Sequence, residues 1–259
     1  MSSMSDPAPP FRTPRYPRTG SDLEERTLRK QRLAVALRVF ARYGFDEGCA
    51  GHLTVRDPVW PDHFWVNPVG IDFAQVRVRD LVLVSDSGEV KEGDARVNKA
   101  AFAIHSAIHR ARPDVHGACH AHSVAGRAFS TLGRRLDPLT QDACAFYEDH
   151  ALFDDYGGVV EGDEGDRIAA AIGPHKAAIL RNHGLLTVGG TIDEAAWWFV
   201  SLDRCCRIQL DAMAAGDPLP IPHEMALATR AQTGDAKWGR FNFAPMYSRV
   251  LGESSDVFD

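Results

Sequence analysis

The run Asp114 to Ser123, DVHGACHAHS, limits the fold more than any other stretch of this 259-residue chain. Val115 to Ala121 reads as a strand. Side chains alternate between the two faces of a strand, so His120 and His122 point from the same face. A second run, Arg181 to Gly184 (RNHG), follows the apolar strand Ala177 to Leu180 and puts His183 on the loop beyond it. A fold that brings these two strand ends together makes three imidazoles converge. Three imidazoles can hold a divalent metal and leave a coordination position open for substrate, which is the arrangement of a catalytic site. In a chain with 11 histidines, H-x-H alone is as readily a mark of surface or packing residues.

Composition narrows the class of protein. Hydrophobic residues at 44% and charged residues at 25% are ordinary for a globular chain, and the length allows one large domain with a sizeable core. A formal charge of -6 lacks the basic footprint that phosphate-backbone binding needs, so nucleic acid is not an expected partner. No apolar run approaches the roughly 20 residues that span a bilayer, and the opening MSSMSDPAPPFRTPRYPRTG has no secretory hydrophobic segment. A cytoplasmic protein without membrane partners is expected. Cys49, Cys119, Cys144, Cys205 and Cys206 are odd in number and show no C-x-x-C spacing, which fits reduced, mostly buried thiols.

Along the chain, residues 1–20 are rich in Pro, Ser and Arg and read as an N-terminal arm. Ser21 with Glu24 fits a capping box, opening an amphipathic helix that Gly44 stops. Gly51 to Val55 and Phe64 to Val66 read as strands, followed by Asn67-Pro68-Val69-Gly70, and Asp86-Ser87-Gly88 as a hairpin turn. A helix is expected from about Val97 to Arg110, before Pro113. Its His105 and His109, at i and i+4, read more readily as a polar stripe or packing residues than as ligands. After a helix from Val124 to Leu132 comes an irregular polar stretch, Leu136 to Val160, with Tyr147, Glu148 and His150. Asp163 to Ile172 reads as a helix and Leu185 to Val188 as a strand, and Thr191 with Glu194 caps a long helix to about Ala214. Residues 217–259 form a tail whose Trp238, Phe241, Phe243 and Tyr247 are expected to pack on the body, on a neighbouring subunit or over the site mouth.

Several ordered motifs carry a resemblance to the class II aldolase/adducin family across roughly Leu23 to Gly216. They are Gly51-His52-Leu53-Thr54, Asn67-Pro68-Val69-Gly70-Ile71, His105 to Val115, His120-Ala121-His122, and Arg181-Asn182-His183-Gly184 followed by Gly189 and the Trp197 helix. The resemblance implies an α/β fold: a three-layer α/β/α domain over residues 21–216 around a central mixed, mainly antiparallel sheet. It also implies a homotetramer with active sites between subunits, and it strengthens His120, His122 and His183 as ligands of a divalent metal. Zinc is the first expectation, and Fe(II), Mn or Co serve the same imidazoles.

The departures from the family pattern shape the expected activity. Ala101 stands where the sugar-phosphate aldolases have an acid/base glutamate. Val97-Asn98-Lys99-Ala100 replaces their phosphate-binding serines, and His52 and Val69 replace two other phosphate contacts. A standard phosphosugar aldolase is therefore not expected. The segment VNKAAFAIHSAIHRARPDVHGACHAHS is closer to the adducin-like branch, which includes a cytoskeletal role, while aldolase-like relatives in antibiotic pathways work as non-haem iron oxygenases. The leading expectation is a metal-dependent lyase that cleaves a carbon-carbon bond of a small carbonyl or hydroxy-acid substrate, by aldol fission or decarboxylation. Tyr147, Glu148 and His150 are the acid/base candidates, and Gly51, His52, Asn67 and Gly70 are the substrate-binding candidates. A mononuclear Fe(II) oxygenase and a non-catalytic adducin-like module are the alternatives.

Overall fold

The computed structural model describes residues 16–94, 96, 98–156 and 163–259, with the side chains of Lys99, Ala100 and Ala101 excepted. Most of the expected N-terminal arm, the expected helix start at Val97, the side chain of Ala101 and the end of the irregular stretch thus lie outside the described residues.

Strands β1 (His52–Arg56), β2 (His63–Val66), β3 (Val82–Ser85), β4 (Val90–Glu92), β5 (Gly117–Ala121), β6 (Ala151–Phe153), β7 (Ala177–Leu180) and β8 (Gly184–Gly189) form one sheet in the order β4-β3-β2-β1-β5-β8-β7-β6. Neighbouring strands are antiparallel except β6 and β7, so the sheet is mixed and mainly antiparallel.

The alternation of side chains divides the interior in two. Leu53, Val55, Trp65, Cys119, Ala121, Ile179 and Leu185 face helices α1 (Asp22–Arg42) and α6 (Ile192–Ala215). Ala118, Ala178, Leu180, Leu186 and Val188 face α2 (Lys99–Ala111) and α5 (Glu164–Ile172). This is the α/β/α layering, and β5 is buried on both sides along its whole length, His120 included. α1 and α6 start where the expected caps lie: Ser21 Oγ accepts from the Glu24 N–H and Thr191 Oγ1 from the Glu194 N–H.

Two stretches hold more structure than their sequence signals. Leu136 to Val160 contains a one-turn helix, α4 (Gln141–Cys144), and the three-residue edge strand β6 after α3 (Val124–Ser130), elements too short to show a period. The tail beyond Gly216 forms α7 (His223–Thr233) and α8 (Ala236–Glu253). α8 lies on α1 and α6 and buries Phe243, so within one chain it covers the helix layer across the sheet from α2 and α5. Beyond it, Asp256 accepts both from the buried Arg38 guanidinium and from Arg77. Among the described residues no helix is long and apolar enough to cross a membrane. All five cysteines are free, and only Cys49 is exposed.

Candidate metal centre

His120 and His122 stand at the C-terminal end of β5, on the face towards α2. β5 runs antiparallel to β8 and β8 antiparallel to β7, so β5 and β7 point the same way. The loop leaving β7 therefore emerges at the same sheet edge as His122. Asn182 takes a left-handed conformation there (φ 58°) and the His183 N–H closes the turn on the Leu180 carbonyl at 3.0 Å. One nitrogen from each of His120, His122 and His183 lies within 4.8 Å of the other two. The sequence-predicted triad is brought together.

The donor set fits a divalent transition metal. His120 Nδ1–H donates to the Leu185 carbonyl at 2.8 Å, which fixes the tautomer and leaves Nε2 with a free lone pair. Burial holds all three rings below the usual histidine range: His120 far below, His122 lowered, and His183 down to about 4, with His122 adding to the last. They are thus neutral near pH 7, as metal ligation requires. No carboxylate joins this cluster among the described residues. The nearest charges to His122 are Arg127 and Glu47, which pair with each other at 2.6 Å.

Of the four expected substrate-binding positions, His52 faces the cluster most directly. It pairs with His120 in the β1–β5 register, and the two ring centroids are 4.9 Å apart. Gly51 (φ 102°) follows at the same edge, where a Cβ would sit 3.4 Å from the Ala121 backbone. Asn67 is buried and its Oδ1 accepts the Leu53 N–H at 3.0 Å, tying the end of β2 to the start of β1. Gly70 (φ 88°) is exposed with open space around it and serves as a turn residue.

Tyr147, Glu148 and His150 are not brought to the cluster within one chain. They precede β6, which is parallel to β7, so they lie at the opposite end of the strands from His183. Tyr147 Oη pairs with His223 Nδ1 at 2.9 Å, and Glu148 is exposed beside the same histidine. Both His150 nitrogens are occupied by backbone: Nε2 accepts from the Leu136 N–H at 2.9 Å and Nδ1 donates to the Phe146 carbonyl at 2.6 Å. The physical reason is chain direction, which a three-residue strand does not announce.

His105 and His109 are not members of the triad either. They point inward from α2 onto β1, where His105 Nε2 lies 2.8 Å from His52 Nδ1 and Thr54 Oγ1 lies 2.6 Å from His105 Nδ1 and 2.9 Å from His109 Nε2. Sequence reasoning missed Thr54. The available signal was His52 and Thr54 two apart in a strand, matched to an i, i+4 histidine pair on a helix.

The family described as Class II Aldolase and Adducin N-terminal domain matches residues 31–210. The chain is 52% identical over 237 residues to decarboxylase NovR of Streptomyces niveus, covering 90% of this chain and 88% of that protein. It is likewise 52% identical over 237 residues to a 4-hydroxy-3-prenylphenylpyruvate oxygenase/4-hydroxy-3-prenylbenzoate synthase of Streptomyces roseochromogenus subsp. oscitans, covering 90% and 86%. Among solved structures, the L-fuculose 1-phosphate aldolase from Glaciozyma antarctica PI12 superposes with a TM-score of 0.88 at 44% identity, covering 95% of this chain and 97% of the other.

Proposed function

The chain belongs to the class II aldolase and adducin family and is an enzyme of the lyase type, and from that premise we propose that it uses a divalent metal to cleave a carbon-carbon bond of a small carbonyl or hydroxy acid, by loss of CO2 or by aldol fission. The observation that carries this reading is the convergence of three neutral imidazoles, His120, His122 and His183, at one sheet edge. A divalent ion held there would supply a Lewis acid that withdraws electron density from a substrate carbonyl. The chain's own groups do the rest. The Leu185 carbonyl holds the His120 ring in register, and His52 and the Gly51 backbone border the place where substrate would lie. Zinc is the first choice of metal, with Fe(II), Mn and Co compatible, and a homotetramer in the cytoplasm belongs to the same reading.

Chemistry divides the possible substrates. A Lewis acid stabilises the electron pair left by a departing CO2 or aldehyde only when the carbonyl lies one carbon removed from the broken bond, as in 3-oxo acids and 3-hydroxy carbonyl compounds. Cleavage next to the carbonyl of a 2-oxo acid leaves the pair on the carbonyl carbon, where a Lewis acid on the oxygen does not stabilise it, and calls for an oxidant such as dioxygen or for a covalent electron sink. A second reading, a mononuclear Fe(II) oxygenase that consumes dioxygen and an arylpyruvate-type acid, is favoured by the oxygenase relative; three imidazoles would leave several positions on an iron open for substrate and dioxygen together, although the commoner oxygenase triad keeps one carboxylate.

The test is elemental analysis of anaerobically purified protein beside His122→Ala, followed by turnover of 3-oxo, 3-hydroxy and aryl 2-oxo acids with and without oxygen. One equivalent of metal, lost in the variant, with oxygen-independent CO2 or aldehyde release supports the lyase. Turnover only with oxygen and iron moves the reading to the oxygenase. No metal and no turnover, with the variant equally stable, would leave a non-catalytic adducin-like module.

A further inference from the structure

At the edge of the metal centre stands an ion pair that the proposed chemistry leaves unused. Arg127 lies on α3, one turn beyond Ser123, whose carbonyl accepts the Arg127 N–H at 2.9 Å. Its guanidinium donates from Nη2 to Glu47 Oε2 at 2.6 Å. α3 packs on the α6 side of the sheet, yet the arginine stem runs past the end of β8 to the ligands. A Cβ on Gly184, the residue after His183, would sit 3.7 Å from His120 Cε1 and 4.0 Å from Arg127 Cγ, so a metal ligand and the arginine stem border the same small space. The Asn182 N–H donates to the Ser130 carbonyl at 3.3 Å and ties the His183 turn to α3 as well. Glu47 reaches the pair from the loop between α1 and β1, whose Gly51 adjoins Ala121, the residue between the two β5 ligands.

The two partners differ in how firmly they are held. Gly126, beside Arg127, donates its N–H to the buried Asp203 carboxylate at 3.0 Å, and a Cβ on it would sit 2.6 Å from the Leu185 side chain. The α3 backbone is thereby fixed against α6 and β8. Glu47 stands on a turn closed by the Ala50 N–H on the Glu47 carbonyl at 3.1 Å, with open space around Gly44 and Gly48. The paired side chains are 41% and 45% exposed, and water screens such a pair until it is easily broken. The centre also brings no negative charge of its own among the described residues. Its donors are three imidazoles, so a divalent ion bound there keeps its full charge while Arg127 and Glu47 offset each other. An anion answers that balance, and the planar fork of a guanidinium matches a carboxylate through two parallel hydrogen bonds.

We infer that Arg127 is the carboxylate-binding residue of this centre and Glu47 its exchangeable counterion, so that the substrate is an acid whose carboxylate replaces Glu47 on the guanidinium. The substrate class rests on the proposed function, since it assumes that substrate occupies the centre; the preference of Arg127 for a carboxylate over an uncharged group does not. Neutral aldols and carbonyl compounds are bound less tightly. A carboxylate that departs as CO2 gives up its charge and with it the pair, so Arg127 lowers KM and does not speed that step.

The test is calorimetric titration of the zinc-loaded full chain with lactate and with lactamide, which share the hydroxyl and differ in charge, with the zinc content of each variant measured alongside. Arg127→Gln is expected to bind lactate about tenfold more weakly, as the loss of one charge-assisted pair implies, and lactamide to within about twofold of the wild type. Glu47→Gln is expected to bind lactate about threefold more tightly, because the competing carboxylate is gone. A pair that only braced the loop against α3 would instead weaken lactate in both variants. Weaker lactate binding in Glu47→Gln, or unchanged binding in Arg127→Gln, would therefore overturn the proposal. So would an equal loss of lactamide, or a loss of zinc, in Arg127→Gln, since either marks the residue as support for the ligands. If the wild type binds no zinc, the proposed function falls, and Arg127 is judged in the metal-free chain by its labelling with phenylglyoxal. Protection by lactate and not by lactamide keeps the carboxylate site, and equal labelling overturns it.

Discussion

Lowering the pH from 7.5 to 5.5 should destabilise the metal-free protein steeply, by an amount that follows from three interior imidazoles. His105, His109 and His150 are at most 4% exposed. Burial depresses all three, His109 to about 3 with help from Arg56 and His150 to about 4, and His105 far below the usual range. In the unfolded chain each returns to about 6.5. The unfolded state therefore binds more protons below pH 6.5, and stability falls from there until the pH reaches the folded values. At pH 5.5 each ring contributes a loss of about 1.4 kcal/mol, or about 4 kcal/mol together. Asp193 acts in the opposite sense. Its burial raises it to about 6 against the pull of Arg32, so the folded state binds its proton first and gains about 1 kcal/mol over the same interval. The imidazoles win by about 3 kcal/mol, a large part of the 5–15 kcal/mol typical of a domain. Urea unfolding at pH 7.5, 6.5 and 5.5 in chelator measures this directly, and a loss below about 1 kcal/mol would refute the premise that these rings stay neutral in the fold.

Other perturbations have equally defined outcomes. Gly117→Ala would place a Cβ 2.6 Å from Ile192 Cα and 2.7 Å from Ile192 N, backbone atoms at the start of α6 that cannot rotate away. We expect a loss of about 3 kcal/mol and a Tm lower by about 6–12 °C, and a shift under 3 °C would show that β5 and α6 part easily. Gly70→Ala, in open space at φ 88°, should lose only about 1–2 kcal/mol through backbone strain, read from the same melts. Metal at a hundredfold excess over its Kd should add about 2.7 kcal/mol of stability, an increase that chelator reverses and His183→Ala lacks; identical melting with and without zinc, iron and manganese would argue against the centre.

The triad was legible because its signals are local. His120 and His122 share a face through the two-residue repeat of an extended chain, and His183 follows directly on an apolar strand that the structure retains as Ala177–Leu180. The caps at Ser21 and Thr191 were readable for the same reason, since an N-cap side chain reaches only three residues ahead. Tyr147, Glu148 and His150 looked suitable by chemistry, yet β6 carries them to the far end of the sheet. His105 and His109 looked like an ordinary polar stripe until α2 was laid on β1, where Thr54 lies between them. The tail helices were obscured by Pro218, Pro220 and Pro222 ahead of them and by Pro245 within α8.

Backbone sterics and side-chain period act over a few residues, and so the sequence by itself determined which elements form and which histidines share a face. It also determined the chemistry on offer, with three imidazoles in the run of motifs and an alanine at position 101. Only the tertiary structure decided which strand ends share an edge. β5 and β7 lie side by side with β8 across about 60 residues of chain, and His52 meets His120 across a register set by long-range pairing. Such pairing is chosen by the summed burial of two faces of one sheet, a property of the whole chain that no short stretch contains. The same holds for Thr54, which meets both His105 and His109 only once α2 and β1 are packed together.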